Sequence, residues 1–180
     1  MRTKTWATPV VAGLASLALL TPSAQGAAPV LDGPARSAAL QPAVRLDPPR
    51  IQQSPTARAV FDLVNAERAA RGLAPMTYDT KLELAAQRHS DDQARSERMS
   101  HTGSDGSTMV QRIDRVGFAW RSAAENVAYG YGTPAAVMAG WMNSDGHRRN
   151  ILSSNTHIGV GLAYGANGRP YWTQVFATPR

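Results

Sequence analysis

Few side chains here can do polar chemistry, and the most informative are two imidazoles and one carboxylate. His101 stands in Met99-Ser100-His101-Thr102 and His147 in Asp145-Gly146-His147-Arg148-Arg149-Asn150. Between them comes Ala124-Glu125-Asn126-Val127, a carboxylate and an amide among small, apolar neighbours. A glutamate in such a stretch, if buried, must be paired or protonated. Brought together, the three groups can bind a divalent cation, zinc or another, with Glu125 either a ligand or the outer group that fixes a histidine tautomer. The same groups can form an ordinary hydrogen-bond network, and no His-x-x-x-His pair tips the balance toward metal.

A nucleophilic reading draws on Ser100, Ser144 and Ser154, which lie near histidines in sequence, with Glu125 orienting one of them. It lacks a Gly-x-Ser-x-Gly elbow. His89 falls well inside a helical stretch and reads as a structural hydrogen-bonding residue; His157 opens a strand and reads as a solvated edge residue. Trp120, Tyr129, Tyr131, Trp141 and Trp172 can line an apolar groove or serve as core and rim packing. Arg148-Arg149 reads as a solvated helix end or an anion site. Gly130, Gly132 and Ala135 match a dinucleotide-binding spacing without a surrounding βαβ unit, and no P-loop lysine follows, so no nucleotide cofactor is expected.

These residues need elements to position them. Val60, Leu63 and Val64 open a helix that ends near Arg71-Gly72. Asp79 caps a second helix carrying Leu82, Ala85, Ala86 and His89 and ending near Met99, so His101 lies just past it. Gly103 to Ser107 is a polar turn, and Met109, Val110, Ile113 and Val116 form a short third helix ending at Gly117. Thr133-Pro134 starts a fourth helix through Val137, Met138 and Trp141, with His147 beyond its end. Phe118 to Ser122 can add a strand.

Farther on, Ile158, Val160 and Leu162 alternate with Gly159, Gly161 and Ala163, and a second alternating run covers Tyr171 to Ala177. Gly165-Ala166-Asn167-Gly168 between them marks an antiparallel hairpin. The bare face at Gly159 and Gly161 predicts close approach of another element. Helices followed by an antiparallel sheet make an α+β domain.

At the N-terminus, Arg2 and Lys4 precede an apolar run from Ala7 to Leu20, then small residues from Ser23 to Ala28. This predicts a signal peptide over 1–26, cut after Gly26 or Ala28. The run is shorter than the roughly 20 residues a bilayer demands, so no transmembrane anchor is expected after cleavage. Residues 27–56 are rich in proline and alanine and read as a disordered spacer, which leaves one domain over 57–180. With no cysteine in the chain, thiol chemistry, cysteine-ligated metal and disulfides are excluded, although exported domains often depend on the last of these. Removing Arg2 and Lys4 lowers the net charge from +6 to +4. The arginines are scattered, so no nucleic-acid partner is expected.

The succession Leu63-Val64-Asn65-Ala66-Glu67-Arg68, Met99-Ser100-His101-Thr102, Ala124-Glu125-Asn126-Val127-Ala128, Gly140-Trp141-Met142-Asn143-Ser144, Gly146-His147-Arg148-Arg149-Asn150-Ile151-Leu152 and Tyr171-Trp172-Thr173-Gln174-Val175-Phe176 resembles a bacterial member of the CAP superfamily, also called SCP-like. The likeness covers about Thr56 to Ala177 in one consistent order. It implies a three-layer α-β-α sandwich with a central antiparallel sheet and a cavity lined by two histidines and two acidic residues. His101, Glu125 and His147 match three of those positions; the fourth falls on Ser144, which weakens any mechanism needing two carboxylates, and Asp145 is the adjacent substitute. Some relatives bind zinc between the histidines, and others bind sterols or fatty acids. The resemblance therefore implies a secreted, extracellular or envelope-associated binding module with metal ligands His101 and His147, cavity residues Glu125, Asn126 and Ser144, and a lipid, sterol, envelope component or protein as partner. The alternative is a peptide or ester hydrolase using Glu125 with His101 and His147.

Overall fold

The structure is a computed structural model that describes residues 54–180. The expected signal peptide and all but the last residues of the expected spacer lie outside the described residues. Helix α1 runs Pro55–Ala69, slightly ahead of the expected domain boundary, because Ser54 stands at its N-cap and proline at its start. Proline suits that first turn, where its missing N–H has no helical acceptor to lose. Strand β1 (Thr77–Tyr78) leads into α2 (Thr80–Ser96), followed by α3 (Met109–Arg115) and β2 (Trp120–Tyr129). Then come α4 (Pro134–Met142), α5 (Asp145–Ile151), β3 (His157–Tyr164) and β4 (Pro170–Pro179).

The sheet order is β1-β3-β4-β2. β3 and β2 both flank β4 in antiparallel register, and the two-residue β1 joins β3 in parallel. The expected hairpin is β3–β4, turning through Gly168 at φ +73°. Strand alternation splits β4 between two cores. Trp172 and Phe176 pack with Val60, Val64, Val137, Trp141 and Ile151 from α1, α4 and α5. Val175 and Ala177 face Leu82, Ala86 and Ile113 from α2 and α3. The result is a three-layer α-β-α sandwich.

Three sequence expectations need correction. His157 is no edge residue: β3 lies between β1 and β4, and its ring is half-buried 6.1 Å from Phe118. The strand expected at Phe118 to Ser122 runs on to Tyr129, which puts Glu125 and Asn126 inside it. His147 is not in a loop but in α5, since the chain breaks helix at Asn143 and restarts at the Ser144 N-cap.

Asp79 caps α2 by accepting from the Lys81 and Leu82 amides at 2.8 and 3.0 Å. Asp79→Ala is expected to lower stability by about 1 kcal/mol, the ordinary worth of such a cap, read from urea unfolding. One turn on, Glu83 is buried, and its Oε2 and the nearby Tyr78 hydroxyl make no hydrogen bond of ordinary geometry. Burial raises the Glu83 pKa above its usual value, with the Tyr78 hydroxyl a smaller opposing influence. A raised folded pKa means stability present below the ordinary glutamate value of 4.5 and lost as pH rises through the folded value. Thermal unfolding of Glu83→Gln should therefore lack that decline and exceed the parent's melting temperature at neutral pH; an identical pH profile would count against it.

Candidate functional site

Successive residues of a strand point to opposite faces, so Glu125 and Asn126 build two different networks. Glu125 points toward α2 and α3. Its Oε1 lies 2.9 Å from His101 Nδ1 and its Oε2 accepts from Arg112 Nη2 at 2.7 Å. His89 Nε2 stands 4.0 Å from Oε1, and the Glu125 side chain is only 2% exposed. Arg112, also buried, donates to the carbonyls of Ser107 at 2.8 Å and His101 at 3.1 Å. One guanidinium thus fixes the carboxylate and the loop that carries His101. Asn126 points the other way: it donates to Gln174 Oε1 at 3.0 Å and the His147 carbonyl at 3.2 Å, and accepts from Asn150 at 2.8 Å. The edge strand β2 is therefore pinned on one face to the His101 loop and on the other to α5.

The two histidines differ. The bond to Glu125 is the main cause raising the His101 pKa above its ordinary value. Burial is the main cause lowering that of His147, and the charge on His101 adds to it. The two residues are held by neighbouring positions of β2, His101 through the Glu125 carboxylate and His147 through its carbonyl, which accepts from Asn126. With Nδ1 facing Glu125, His101 presents Nε2 outward, while the His147 ring makes no hydrogen bond among the described residues. His89 is, as expected, a buried structural residue whose Nε2 donates to the Ser100 carbonyl at 2.7 Å.

Ser144 stands at the N-cap of α5, its hydroxyl making no cap hydrogen bond. Asp145 does not replace the missing acid; its carboxylate is exposed and pairs with Arg148. Among the described residues no serine hydroxyl bonds a histidine ring, so the nucleophilic arrangement is not assembled. His147 and Ser144 instead open on a cleft of about 520 Å³ lined by Met99, Tyr129, Tyr131 and Trp141. Trp120 and Trp172 take no part in its wall: Trp120 bonds Asp114 and Trp172 is core. Arg148 and Arg149 lie in the last turn of α5, where Arg148 also donates to the Met142 carbonyl.

Sequence reasoning overlooked Arg112. It is one arginine among many scattered ones, and its only signal was its place beside the core residue Ile113 in the short third helix.

A cation fits the histidines only in part. His101, oriented by a carboxylate, and a neutral His147 are suitable donors. Among the described residues, however, no group of three or more His, Asp or Glu side chains could hold a metal ion. A closed structural zinc site needs four ligands and a catalytic one three, so this pair would leave most positions to water or an incoming ligand.

The family model for the cysteine-rich secretory protein family, CAP, matches residues 61–176. In Bacillus subtilis strain 168, the uncharacterized protein YkwD is 39% identical over 120 residues, 66% of this chain and 46% of its own. The uncharacterized membrane protein YlbC of the same strain is 34% identical over 125 residues, 69% of this chain and 35% of its own. This chain thus spans less than half the length of either curated relative. An extracellular SCP-domain protein from Bacillus anthracis superposes with a TM-score of 0.61 at 29% identity, covering 68% of this chain and 40% of the other. An outer surface protein of Borrelia burgdorferi, at TM-score 0.66 and 19% identity over 72% of this chain and 97% of its own, shares the fold. With the sandwich, the motif order and the matched residues in agreement, the chain belongs to the cysteine-rich secretory protein family.

Proposed function

We propose that the protein is a secreted, non-enzymatic binding module acting at or outside the cell envelope, and that it holds an amphipathic ligand, a lipid or sterol, in the cleft beside His147. The observation that carries this reading is the state of Glu125. Both its oxygens are engaged, by His101 and Arg112, and its side chain is only 2% exposed, so taking up a proton would weaken its pairing with the buried Arg112. General-base chemistry needs the base within hydrogen-bond reach of the proton it abstracts, which disfavours the hydrolase alternative. The cleft, in contrast, offers what a binding site requires: exposed Tyr129 and Tyr131 as an apolar wall, with His147 and Ser144 as polar groups at one end. No helix among the described residues is long and apolar enough to cross a membrane, and the Bacillus anthracis relative is described as extracellular; both accord with the proposed location.

His101, through Nε2, and His147 would hold a divalent cation such as zinc. When bound it would supply a Lewis-acidic anchor for an anionic ligand group. Calorimetric titration of the full chain with zinc chloride near neutral pH is expected to show binding that His101→Ala and His147→Ala each weaken about tenfold or more, as loss of one of two ligands should; no binding by the parent, or affinity unchanged from the parent in both variants, would dismiss the metal role. The ligand is tested separately, by tryptophan fluorescence with oleate and with cholesterol. Saturable binding weakened by Tyr131→Ala supports the reading, and no binding of either, or binding indifferent to that change, overturns it. Turnover of a generic peptide or ester substrate abolished in Glu125→Gln would restore the hydrolase.

A further inference from the structure

A second cleft, of about 360 Å³, lies between α2, the loop 103–107 and α3. It shares no lining residue with the cleft beside His147. Its rim is held in place before any ligand arrives. Asp92 accepts from the Ser104 amide at 2.7 Å and the Ser104 hydroxyl at 2.5 Å, and it pairs with Arg95. Asp105 accepts from the Ser107 amide at 2.9 Å and pairs with Arg115 at 2.6 Å. Gly103 permits this turn, since a Cβ there would stand 2.5 Å from Ser107 Oγ and 2.7 Å from Asp105 Oδ1. A preformed rim lowers the ordering cost of binding.

The wall carries several charged side chains, and their charges cancel. Arg88, Arg95 and Arg115 face Asp91, Asp92 and Asp105, while Arg112, behind them, is neutralised by Glu125. This balance selects against a strongly anionic or cationic ligand. It favours a neutral one rich in both donors and acceptors, because a carboxylate and a guanidinium side by side can together satisfy a hydroxyl group's two roles. Arg88 makes no hydrogen bond or ion pair among the described residues and is free to take such a contact.

Within this wall, His89 supplies an atom that asks for a partner. The residue is 1% exposed and lines the cleft, and its Nδ1 is buried with no hydrogen bond. Since Nε2 donates to the Ser100 carbonyl, the neutral ring's Nδ1 is an acceptor, and only a group carrying O–H or N–H satisfies it. A buried acceptor without a donor costs free energy, which a ligand hydroxyl reaching it would recover. We infer that the α2–α3 cleft is a binding site for a neutral saccharide unit, recognised by the paired Asp and Arg side chains of the rim and by His89 at its depth. The inference does not depend on the lipid site.

The test is NMR titration of the full chain, labelled with nitrogen-15, using N,N′-diacetylchitobiose, maltose and, as the anionic control, glucuronate, each to about 10 mM, a concentration that detects weak sites. Saturable shifts of the Ser104–Ser107 amides and of the His89 Nδ1 resonance are expected with a neutral sugar and not with glucuronate. Arg88→Ala and Asp91→Asn, both exposed changes, are each expected to weaken binding roughly fivefold, the loss of one net hydrogen bond, while Tyr131→Ala leaves it unchanged. Retention on insoluble chitin, released by the free disaccharide, would identify a glycan chain as the source; shifts without retention would identify a free sugar. Absence of shifts in this cleft with either neutral sugar, tighter binding of glucuronate, or indifference to Arg88→Ala overturns the inference.

Discussion

Glu125→Ala is expected to destabilise the protein by about 3–5 kcal/mol, because it leaves the Arg112 guanidinium buried without its counter-ion. Removing one member of a desolvated pair exposes the whole penalty that the partner was offsetting. Arg112 keeps two carbonyl acceptors, from Ser107 and His101, but no charge. Glu125→Gln should lose less, since its amide oxygen still accepts from Arg112. Replacing both residues, Glu125→Leu with Arg112→Met, should recover much of the loss, and that recovery separates a buried-charge penalty from a packing defect. Urea unfolding of the four proteins decides the matter: a Glu125→Ala cost below about 1 kcal/mol would mean that water reaches Arg112 and that the pair does not organise the site.

The same variant carries a pH signature. Glu125 raises the folded-state pKa of His101, so their attraction contributes stability that is fully present below the ordinary histidine value of 6.5 and is lost as pH rises through the raised one. His101 is 60% exposed in its side chain, so solvent screens the effect and its size is small. In Glu125→Ala the contribution vanishes, and the His101 pKa followed by NMR should move down toward its ordinary value. Persistence of the raised value would assign it to some group other than Glu125.

How much of this could be read from sequence depended on the range of the interaction. Caps and periodicities are local, so Asp79, Thr133 and the β3–β4 hairpin were legible from a few neighbouring residues. Glu125 was recognisable as a buried carboxylate needing a partner, because its neighbours are small and apolar. Its main partner, Arg112, was not legible, since its place beside Ile113 is too weak a signal to set that arginine apart from Arg115 one turn later. Only the antiparallel pairing of β2 with β4, Glu125 opposite Val175, turns the carboxylate toward α3. Helix α5 was missed for a related reason: Asp145 to Ile151 is a short helix with a glycine in its first turn, and such a segment is held by Asn150 and Ile151 reaching β2 and the core rather than by its own propensity. The family resemblance pointed to both histidines, whereas the arginine that anchors the His101 loop needed the fold.

The bare face of β3 lies directly against the backbone of α2. An added Cβ at Gly159 would lie 2.0 Å from the Glu83 amide nitrogen and 2.1 Å from the Leu82 carbonyl carbon; at Gly161 it would lie 2.5 Å from the backbone of Ala86 and Gln87. These are backbone atoms of α2, which no rotamer change can move. Neither glycine has a positive φ, so the demand is for space and not for backbone freedom. Gly159→Ala must push α2 away from the sheet, opening the core around Leu82 and Ala86 and tilting the helix whose C-terminal exit carries His101. Overpacking of this kind costs about 3 kcal/mol or more where the obstacle cannot yield, with Gly161→Ala next in severity. Gly140→Ala meets only the Tyr131 ring, at 2.7 Å, and Gly132→Ala meets nothing within 4 Å. Denaturant unfolding should therefore rank the losses as Gly159 above Gly161, Gly161 above Gly140, and Gly132 near zero. If Gly159→Ala proved as mild as Gly132→Ala, the backbone contact between α2 and β3 could not be as close as described, and the placement of His101 by that helix would fail with it.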